Sequence, residues 1–196
     1  YKDLGEFDKA LDYLSDVIAI DRELGDNIRI SKAFNNLGET YRQRGLATEN
    51  GSDLKEALIH FENALALIRS MEGDQFQEEV KGTEVRILNN IGTVHADLLD
   101  TNNSIAYFNQ GLKLAEEIQD IESMGMINNN IGIVHYNLGN FTESTEYFQR
   151  AIDLALKIEN KKTLWEAYLE LARTYVKQNR LEEALQCFEE SILIIE

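Results

Sequence analysis

Asparagine recurs in pairs at one phase of this sequence. The stretches ILNNIGTVHADLL from Ile87 and INNNIGIVHYNLG from Ile127 lie forty residues apart, and FNNLGETYRQRG from Phe34 follows the same pattern. In a helix interior each asparagine costs about 0.5–0.7 kcal/mol relative to alanine. Each side-chain amide offers one carbonyl acceptor and two N–H donors, which complement a peptide backbone. The repeated amides are therefore candidates for binding chemistry.

Other reactive residue types do not combine into a catalytic or metal site. His95 and His135 occupy one phase of the repeat, where Tyr41 and Tyr175 stand in other copies, so we expect them to pack between helices. Zinc would need further ligands at bonding distance. The sequence has no glycine-rich phosphate loop or nucleophile elbow, and TENGSD from Thr48 lacks the oxygen spacing of a calcium loop. We therefore predict no enzyme activity, no cofactor and no metal within these residues.

The composition is that of an acidic chain with a sizeable apolar fraction. Its 196 residues are 43% hydrophobic and carry a formal charge of −16, which argues against binding to nucleic acid or an anionic membrane and favours a basic partner. Cys187 is the only cysteine, so an intrachain disulfide is impossible and a cytoplasmic setting is expected. No apolar run approaches the roughly 20 residues of a membrane span.

The forty-residue spacing extends along the chain and predicts the elements that position the asparagines. Ile91-Gly92 and Ile131-Gly132 are followed at the same interval by Leu171-Ala172. The lack of proline favours helices joined by tight turns. We count a half repeat over residues 1–25 and whole repeats over about 29–74, 83–120, 124–160 and 164–196.

Turn-forming residues and two insertions complete this interpretation. Turns are predicted at Leu24-Gly25-Asp26, Glu72-Gly73-Asp74, Gln119-Asp120 and Glu159-Asn160, and helix ends within repeats at Gly5, Gly45 and Gly139. The segment 47–53 is predicted to lengthen a turn, and the segment 75–83 to add helix.

One copy of the repeat carries a family resemblance. The order Phe34, Leu37, Gly38, Tyr41, Gly45, Ala57, Phe61 and Ala64 resembles the tetratricopeptide repeat. The unit here is forty residues long without a terminal proline, whereas the common unit has about 34, and it is similar to repeats of kinesin light chains, spindle-orientation scaffolds and bacterial signalling proteins. The resemblance implies an all-α fold, with residues 1–196 forming a single α-solenoid domain of stacked antiparallel helix pairs in a right-handed superhelix. It also implies a concave, peptide-binding groove.

The groove residues follow from helix geometry. With Ser31, Val85, Gly125 and Trp165 as position one, about 100° per residue puts positions four, seven, eight and eleven on the packing face. Positions two, five, six, nine, twelve and thirteen then face the groove. The predicted peptide-binding residues are Asn35, Asn36, Arg42, Arg86, Asn89, Asn90, Met126, Asn129, Asn130, Ile133, Tyr136, Asn137, Leu169 and Arg173. The arginines would add carboxylate or phosphate recognition. Alternatively, the asparagines bond the neighbouring helix and only fix the stack; both interpretations stay open.

Two functional hypotheses result. The first is a non-enzymatic module that binds an extended or helical peptide of a protein partner, with basic character as the expected complement. The second is a sensory or oligomerising segment of a multidomain signalling enzyme or transcription regulator. Because the chain opens inside a repeat and closes on the apolar stretch SILIIE, we expect a fragment of a longer protein, whose open ends favour self-association.

Overall fold

The computed structural model of the protein describes residues 4–71 and 77–195. These ranges contain nine α-helices and no strand, which confirms the predicted all-α helical repeat fold. The helices are α1 (Leu4–Leu24), α2 (Asn27–Thr48), α3 (Gly51–Arg69), α4 (Gln77–Asp97), α5 (Thr101–Glu117), α6 (Ile121–Asn137), α7 (Phe141–Lys157), α8 (Lys161–Lys177) and α9 (Leu181–Ile195). The turn predicted at Glu72-Gly73-Asp74 lies outside the described residues.

The helices form two compact units, Tyr1–Tyr107 and Phe108–Glu196, and α5 runs through the boundary. In the first unit α2 packs against α1 and α3, and α4 contacts both α3 and α2. In the second unit α7 packs against α6 and α8, α8 packs against α9, and α6 contacts α8. Each unit thus stacks short-linked helix pairs, because a single amphipathic pair cannot bury its apolar face alone.

Glycine at position eight allows the two helices of a repeat to approach closely. A Cβ atom on Gly38 would lie 2.8 Å from the Phe61 ring, and one on Gly132 would lie 2.7 Å from the Phe148 ring. Both phenylalanines are fully buried. The prediction that position eight lies on the packing face is confirmed for these two glycines.

An aromatic pair joins the two helices of three repeats. Tyr41 stacks on His60 with ring centroids 5.1 Å apart, and His95 stacks on Tyr107 at 5.5 Å. The pair of His135 and Tyr147 has a centroid distance of 5.3 Å. The packing role predicted for His95 and His135 is therefore confirmed. Tyrosine comes first in the α2/α3 pair, whereas histidine comes first in the other two pairs.

The turns share one backbone geometry. In the turns after α4, α5, α7 and α8 a non-glycine residue adopts a left-handed conformation with φ of 54–61°, and glycine takes this place after α1 and α6. The N–H of the following residue bonds the carbonyl five residues earlier, as in Asp100 to His95 and Asn160 to Ala155, which is the helix-ending motif known as the Schellman motif. The turns predicted at Gly25, Gln119, Gly139 and Glu159 are confirmed.

Three local predictions are wrong. Gly45 does not end a helix, because α2 continues to Thr48 and turns at Glu49; Gly5 likewise lies inside α1. The position of Gly45 requires a residue without a side chain, because a Cβ there would lie 3.1 Å from the Asn50 carbonyl oxygen. The segment 47–53 extends the helices instead of lengthening the turn between them, because α3 already starts at Gly51.

Candidate functional site

The predicted groove positions lie on two surfaces, one in each unit. The α2–α4 face consists of Lys32, Asn35, Asn36, Glu39, Arg42, Gln43, Arg86, Asn89, Asn90, Thr93, Ala96 and Asp97. The α6–α8 face consists of Met126, Asn129, Asn130, Ile133, Tyr136, Asn137, Glu166, Leu169, Glu170, Arg173, Val176 and Lys177. Contacts between the first helices of neighbouring repeats bring the residues of each face together.

Three polar contacts cross from α2 to α4. Lys32 Nζ lies 2.6 Å from Glu79 Oε1. Asn90 Nδ2 donates to Asn35 Oδ1 over 2.9 Å, and Arg42 Nε donates to Asp97 Oδ2 over 2.6 Å. These contacts engage two of the predicted groove asparagines and one predicted groove arginine in bonds between helices.

The pair of Arg42 and Asp97 is partly shielded from water. Burial raises the pKa of Asp97, and the hydrogen bond and positive charge of Arg42 oppose that rise. Arg42 also contacts Glu39 Oε1 at 3.3 Å. The guanidinium therefore serves two carboxylates of its own face, which leaves it less available to a ligand.

A polar depression of about 270 Å³ opens beside these contacts. It is lined by Lys32, Asn35, Asn36, Thr83 and Arg86. Asn36 and Arg86 are exposed, and Arg86 Nη2 donates to the Thr83 hydroxyl over 3.2 Å. Within the described residues Arg86 has no carboxylate partner. The depression thus presents an uncompensated guanidinium and an exposed amide.

The α6–α8 face carries a group of half-buried apolar side chains. Met126, Ile133, Tyr136 and Leu169 are half-buried on it. Ile133 also packs against the buried core of the unit. The Tyr136 ring meets Phe141 edge-on with a centroid distance of 5.8 Å. This face therefore offers partly accessible apolar side chains where the α2–α4 face offers paired charges.

Charged residues border the apolar part of this face. Arg173 lies over the Tyr136 ring at 5.8 Å and contacts Glu170 Oε1 at 2.9 Å. Glu166, which is half-buried, has no ion-pair or hydrogen-bond partner within the described ranges. A half-buried carboxylate without a partner is an attractive site for a cation.

The asparagines of α6 differ in accessibility. Asn129 is only 5% exposed, and its Oδ1 has no hydrogen-bond partner in the described part of the chain. The preceding Asn128 is also buried and donates to the Met124 carbonyl over 2.7 Å. Asn130 is half-buried and Asn137 is exposed. In α4, Asn89 is half-buried.

Two residues of the α2–α4 surface escaped the sequence analysis. Glu79 pairs with Lys32, and Thr83 lines the depression. Both lie before position one of their repeat, within the added helix, so the repeat frame did not include them. Helical spacing could have identified both residues in the sequence, because residues 79, 83, 86 and 90 lie on one side of an uninterrupted helix.

The described residues contain neither a metal-binding cluster nor a membrane-spanning helix. Across residues 4–71 and 77–195, no group of three or more histidine, cysteine, aspartate or glutamate side chains is placed to hold a metal ion. None of the helices in these ranges combines the length and the apolar content needed to cross a bilayer.

Sequence comparisons identify related proteins. Two tetratricopeptide repeat family models match residues 85–118 and 123–194, and a model of anaphase-promoting complex subunit 5 matches residues 1–41. The Tonsoku-like protein of Drosophila melanogaster is 25% identical over 136 residues. That alignment covers 65% of this chain and 10% of the relative, so the chain spans about a tenth of its length.

Solved structures share the fold at low sequence identity. Apo RapI has a TM-score of 0.75 at 18% identity, covering 95% of this chain and 49% of RapI. A putative kinesin light chain of Podosopora anserina with nearly identical TPR-like repeats has a TM-score of 0.67 at 15% identity, covering 97% and 87%. A signal transduction ATPase with a tetratricopeptide repeat sensor, from Pyrococcus horikoshii, has a TM-score of 0.69 at 21% identity, covering 97% and 28%. These likenesses concern the fold.

Proposed function

Because the chain belongs to the tetratricopeptide repeat family, we propose that it is a protein-interaction module that binds a peptide segment of a partner on its α6–α8 face. Tetratricopeptide repeats generally mediate interactions between proteins. The observation that carries the proposal is the set of half-buried apolar side chains Met126, Ile133, Tyr136 and Leu169 on the α6–α8 face. Such a surface gains free energy when a partner covers it.

The charges beside these side chains define the preferred peptide. Glu166 precedes Leu169 by one helical turn and has no partner within the described ranges. A lysine or arginine of the peptide would pair with Glu166 while a neighbouring aliphatic or aromatic side chain covers Leu169. The formal charge of −16 attracts the same kind of segment over longer distances.

The asparagines divide into two groups under this proposal. Asn137 is exposed on the α6–α8 face, so its amide is free to bond the peptide backbone. Asn35 and Asn90 bond one another and thereby hold the α2–α4 face in shape, and Asn129 is buried and therefore inaccessible to the peptide. Of the predicted groove arginines, Arg173 lies on this face and already contacts Glu170, whereas Arg42 and Arg86 lie on the α2–α4 face and take no part in this site.

A peptide array followed by fluorescence anisotropy tests the proposal. Twelve-residue peptides that alternate apolar residues with lysine or arginine should be enriched on the array over their acidic counterparts. With a selected peptide, Leu169→Asp and Glu166→Gln should each weaken binding about tenfold, which corresponds to about 1.4 kcal/mol. Leu185→Asp is the matched control, since Leu185 is an exposed leucine of α9 outside the face.

The outcomes of this experiment test the proposed face and the proposed partner chemistry separately. Glu166→Gln preserves shape, so its effect reports the charge alone, and circular dichroism shows whether Leu169→Asp keeps the helices. Equal affinities of the parent, Leu169→Asp and Glu166→Gln would contradict the proposed face. An array without any preference for basic apolar peptides would contradict the proposed partner chemistry.

We also propose a second role, in which this chain is the sensory or oligomerising segment of a larger cytoplasmic signalling protein. The partial coverage of RapI and of the Pyrococcus horikoshii ATPase favours it, because this chain spans 49% and 28% of them. Any catalytic activity would then lie outside these residues. The intact mass of the native protein tests the idea, since a mass near 22.4 kDa would exclude an attached effector domain.

A further inference from the structure

A second cavity lies on the other side of α2. The α1–α3 notch, with a volume of about 480 Å³, is lined by Arg22 of α1, by Asn27, Ile30 and Phe34 of α2, and by Asn63, Ala66, Leu67 and Ser70 on the α3 side. Its volume lies within the roughly 300–1,000 Å³ of ligand pockets. Phe34 occupies position four of its repeat, on the packing face, so the notch is separate from the α2–α4 face.

The floor of the notch is apolar and firmly held. Ile30 is buried and belongs to the core cluster of α1 and α2, against which Phe34 and Leu67 pack. Phe34 also stacks on His60 with a centroid distance of 6.1 Å. An apolar side chain placed in the notch would therefore meet fixed aromatic and aliphatic surfaces.

Among the described residues, Arg22 is the one charged residue that lines the notch. Its guanidinium lies 6.0 Å from the centre of the Phe34 ring, and no carboxylate in residues 4–71 and 77–195 pairs with it. The chain has 35 acidic and 19 basic residues, so a cavity with a guanidinium and no carboxylate in its lining differs in charge from the molecule as a whole.

A neighbouring cavity of the first unit lacks this imbalance. The cavity of about 640 Å³ at the turn between α1 and α2 is also lined by arginine and lysine, namely Arg29 and Lys32. There Arg29 Nε lies 3.1 Å from Asp21 Oδ1, and Lys32 pairs with Glu79. The charges of that cavity are compensated by Asp21 and Glu79, whereas no carboxylate of the described residues pairs with Arg22.

We propose that the α1–α3 notch binds a partner peptide in which an apolar side chain stands next to a carboxylate. The apolar side chain lies on Ile30, Phe34 and Leu67, and the carboxylate accepts hydrogen bonds from the Arg22 guanidinium, whose fork matches carboxylate geometry. The amides of Asn27 and Asn63 at the rim bond the peptide backbone. The chemistry selected here is opposite to that of the α6–α8 face, so one protein could hold two different segments.

Nuclear magnetic resonance of the ¹⁵N-labelled chain tests this proposal. The probe is the capped tetrapeptide acetyl-Gly-Phe-Glu-Gly-amide, and the counterpart with glutamine in place of glutamate isolates the carboxylate. The glutamate peptide should shift the side-chain amide resonances of Asn27 and Asn63. Loss of one charged hydrogen-bond pair should weaken binding about tenfold for the glutamine peptide, and by a similar factor for the variant Arg22→Gln.

Two further variants separate the notch from other surfaces. Ala66 is exposed at the edge of the notch, so Ala66→Trp should block the probe without disturbing the core. Arg150→Gln is the matched control, because Arg150 lies 5.0 Å over the Tyr147 ring, as Arg22 lies over Phe34, but lines none of the cavities described above. It should leave the affinity unchanged. The proposal is overturned if the probe shifts no resonance of the notch at millimolar concentration, or if Arg22→Gln and Arg150→Gln bind it equally well.

Discussion

Asn90 Nδ2 donates a hydrogen bond of 2.9 Å to Asn35 Oδ1 and thereby joins α4 to α2. The two residues stand at positions six and five of their repeats, so the bond connects neighbouring positions of successive repeats. Adjacent in sequence to Asn35, Asn36 is exposed. One asparagine doublet thus contains a residue that fixes the helix stack and a residue that is accessible to a ligand.

The bond between these asparagines should be measurable as an energetic coupling. In a double-mutant cycle of Asn35→Ala and Asn90→Ala, followed by urea unfolding, we expect a coupling of about 1 kcal/mol. Asn36→Ala combined with Asn90→Ala should be additive, because Asn36 is exposed. Additivity of the first pair would show that the bond contributes nothing to stability.

Substitution of the close-approach glycines should destabilise the protein. Gly38→Ala and Gly132→Ala each place a Cβ less than 3 Å from a buried phenylalanine ring, which we expect to lower the free energy of unfolding by about 1–3 kcal/mol. Gly82→Ala is the control, because a Cβ at Gly82 of α4 meets nothing within 4 Å. This variant should instead raise the free energy of unfolding by about 0.5–1 kcal/mol, since alanine favours helix.

Replacement of Leu99 should stabilise the turn after α4. Leu99 adopts a φ of 61° and is 86% exposed, so it bears the cost of a left-handed conformation and contributes little packing. We expect Leu99→Gly to raise the free energy of unfolding by about 1 kcal/mol. Leu98→Gly, at a residue with negative φ, should lower it. A loss of stability in Leu99→Gly would mean that the leucine makes contacts that outweigh the strain.

Acid should destabilise the folded protein through protonation of His60. Burial lowers the pKa of His60, and the nearby charge of Glu56 opposes that effect. The unfolded chain, with an ordinary histidine pKa of about 6.5, therefore binds more protons than the folded chain just below that pH. The free energy of unfolding should fall as the pH drops through about 6.5 toward the lower folded pKa, and should be insensitive to His60 above about 7.5.

The comparison for this prediction is His60→Phe, which retains a ring between Phe34 and Tyr41 and does not titrate. Urea unfolding of the parent and of His60→Phe between pH 5 and 8 isolates the contribution of His60 to the free energy of unfolding, because the other titrating groups are present in both proteins. Parallel pH profiles would show that the proton does not distinguish the folded from the unfolded state.

The sequence predicted the helices and their internal packing because a regular period repeats the same physical requirement. Gly38 and Gly132 meet a phenylalanine ring in the same way, and His95 and His135 stack on tyrosine in the same way. A single copy would leave these assignments ambiguous, whereas agreement between copies determines them.

Other features were beyond the sequence. A glycine that permits positive φ cannot be distinguished by composition from one that permits close approach, and Gly45 is of the second kind. Helix geometry placed the asparagines on one face, but their pairing depends on how far one helix is shifted along the next. Asn35 bonds Asn90 and leaves Asn36 exposed because of that shift.

The reversed order of the stacked rings bears on how such an array can be rearranged during evolution. Tyr41 stacks on His60, whereas His95 stacks on Tyr107. Duplication of a complete helix pair carries a matched couple of rings to its new place. Recombination between the two helices of a pair would join tyrosine to tyrosine or histidine to histidine when it combines the α2/α3 pair with either of the other two pairs. Crossovers that involve the α2/α3 pair are therefore expected at the linkers between pairs.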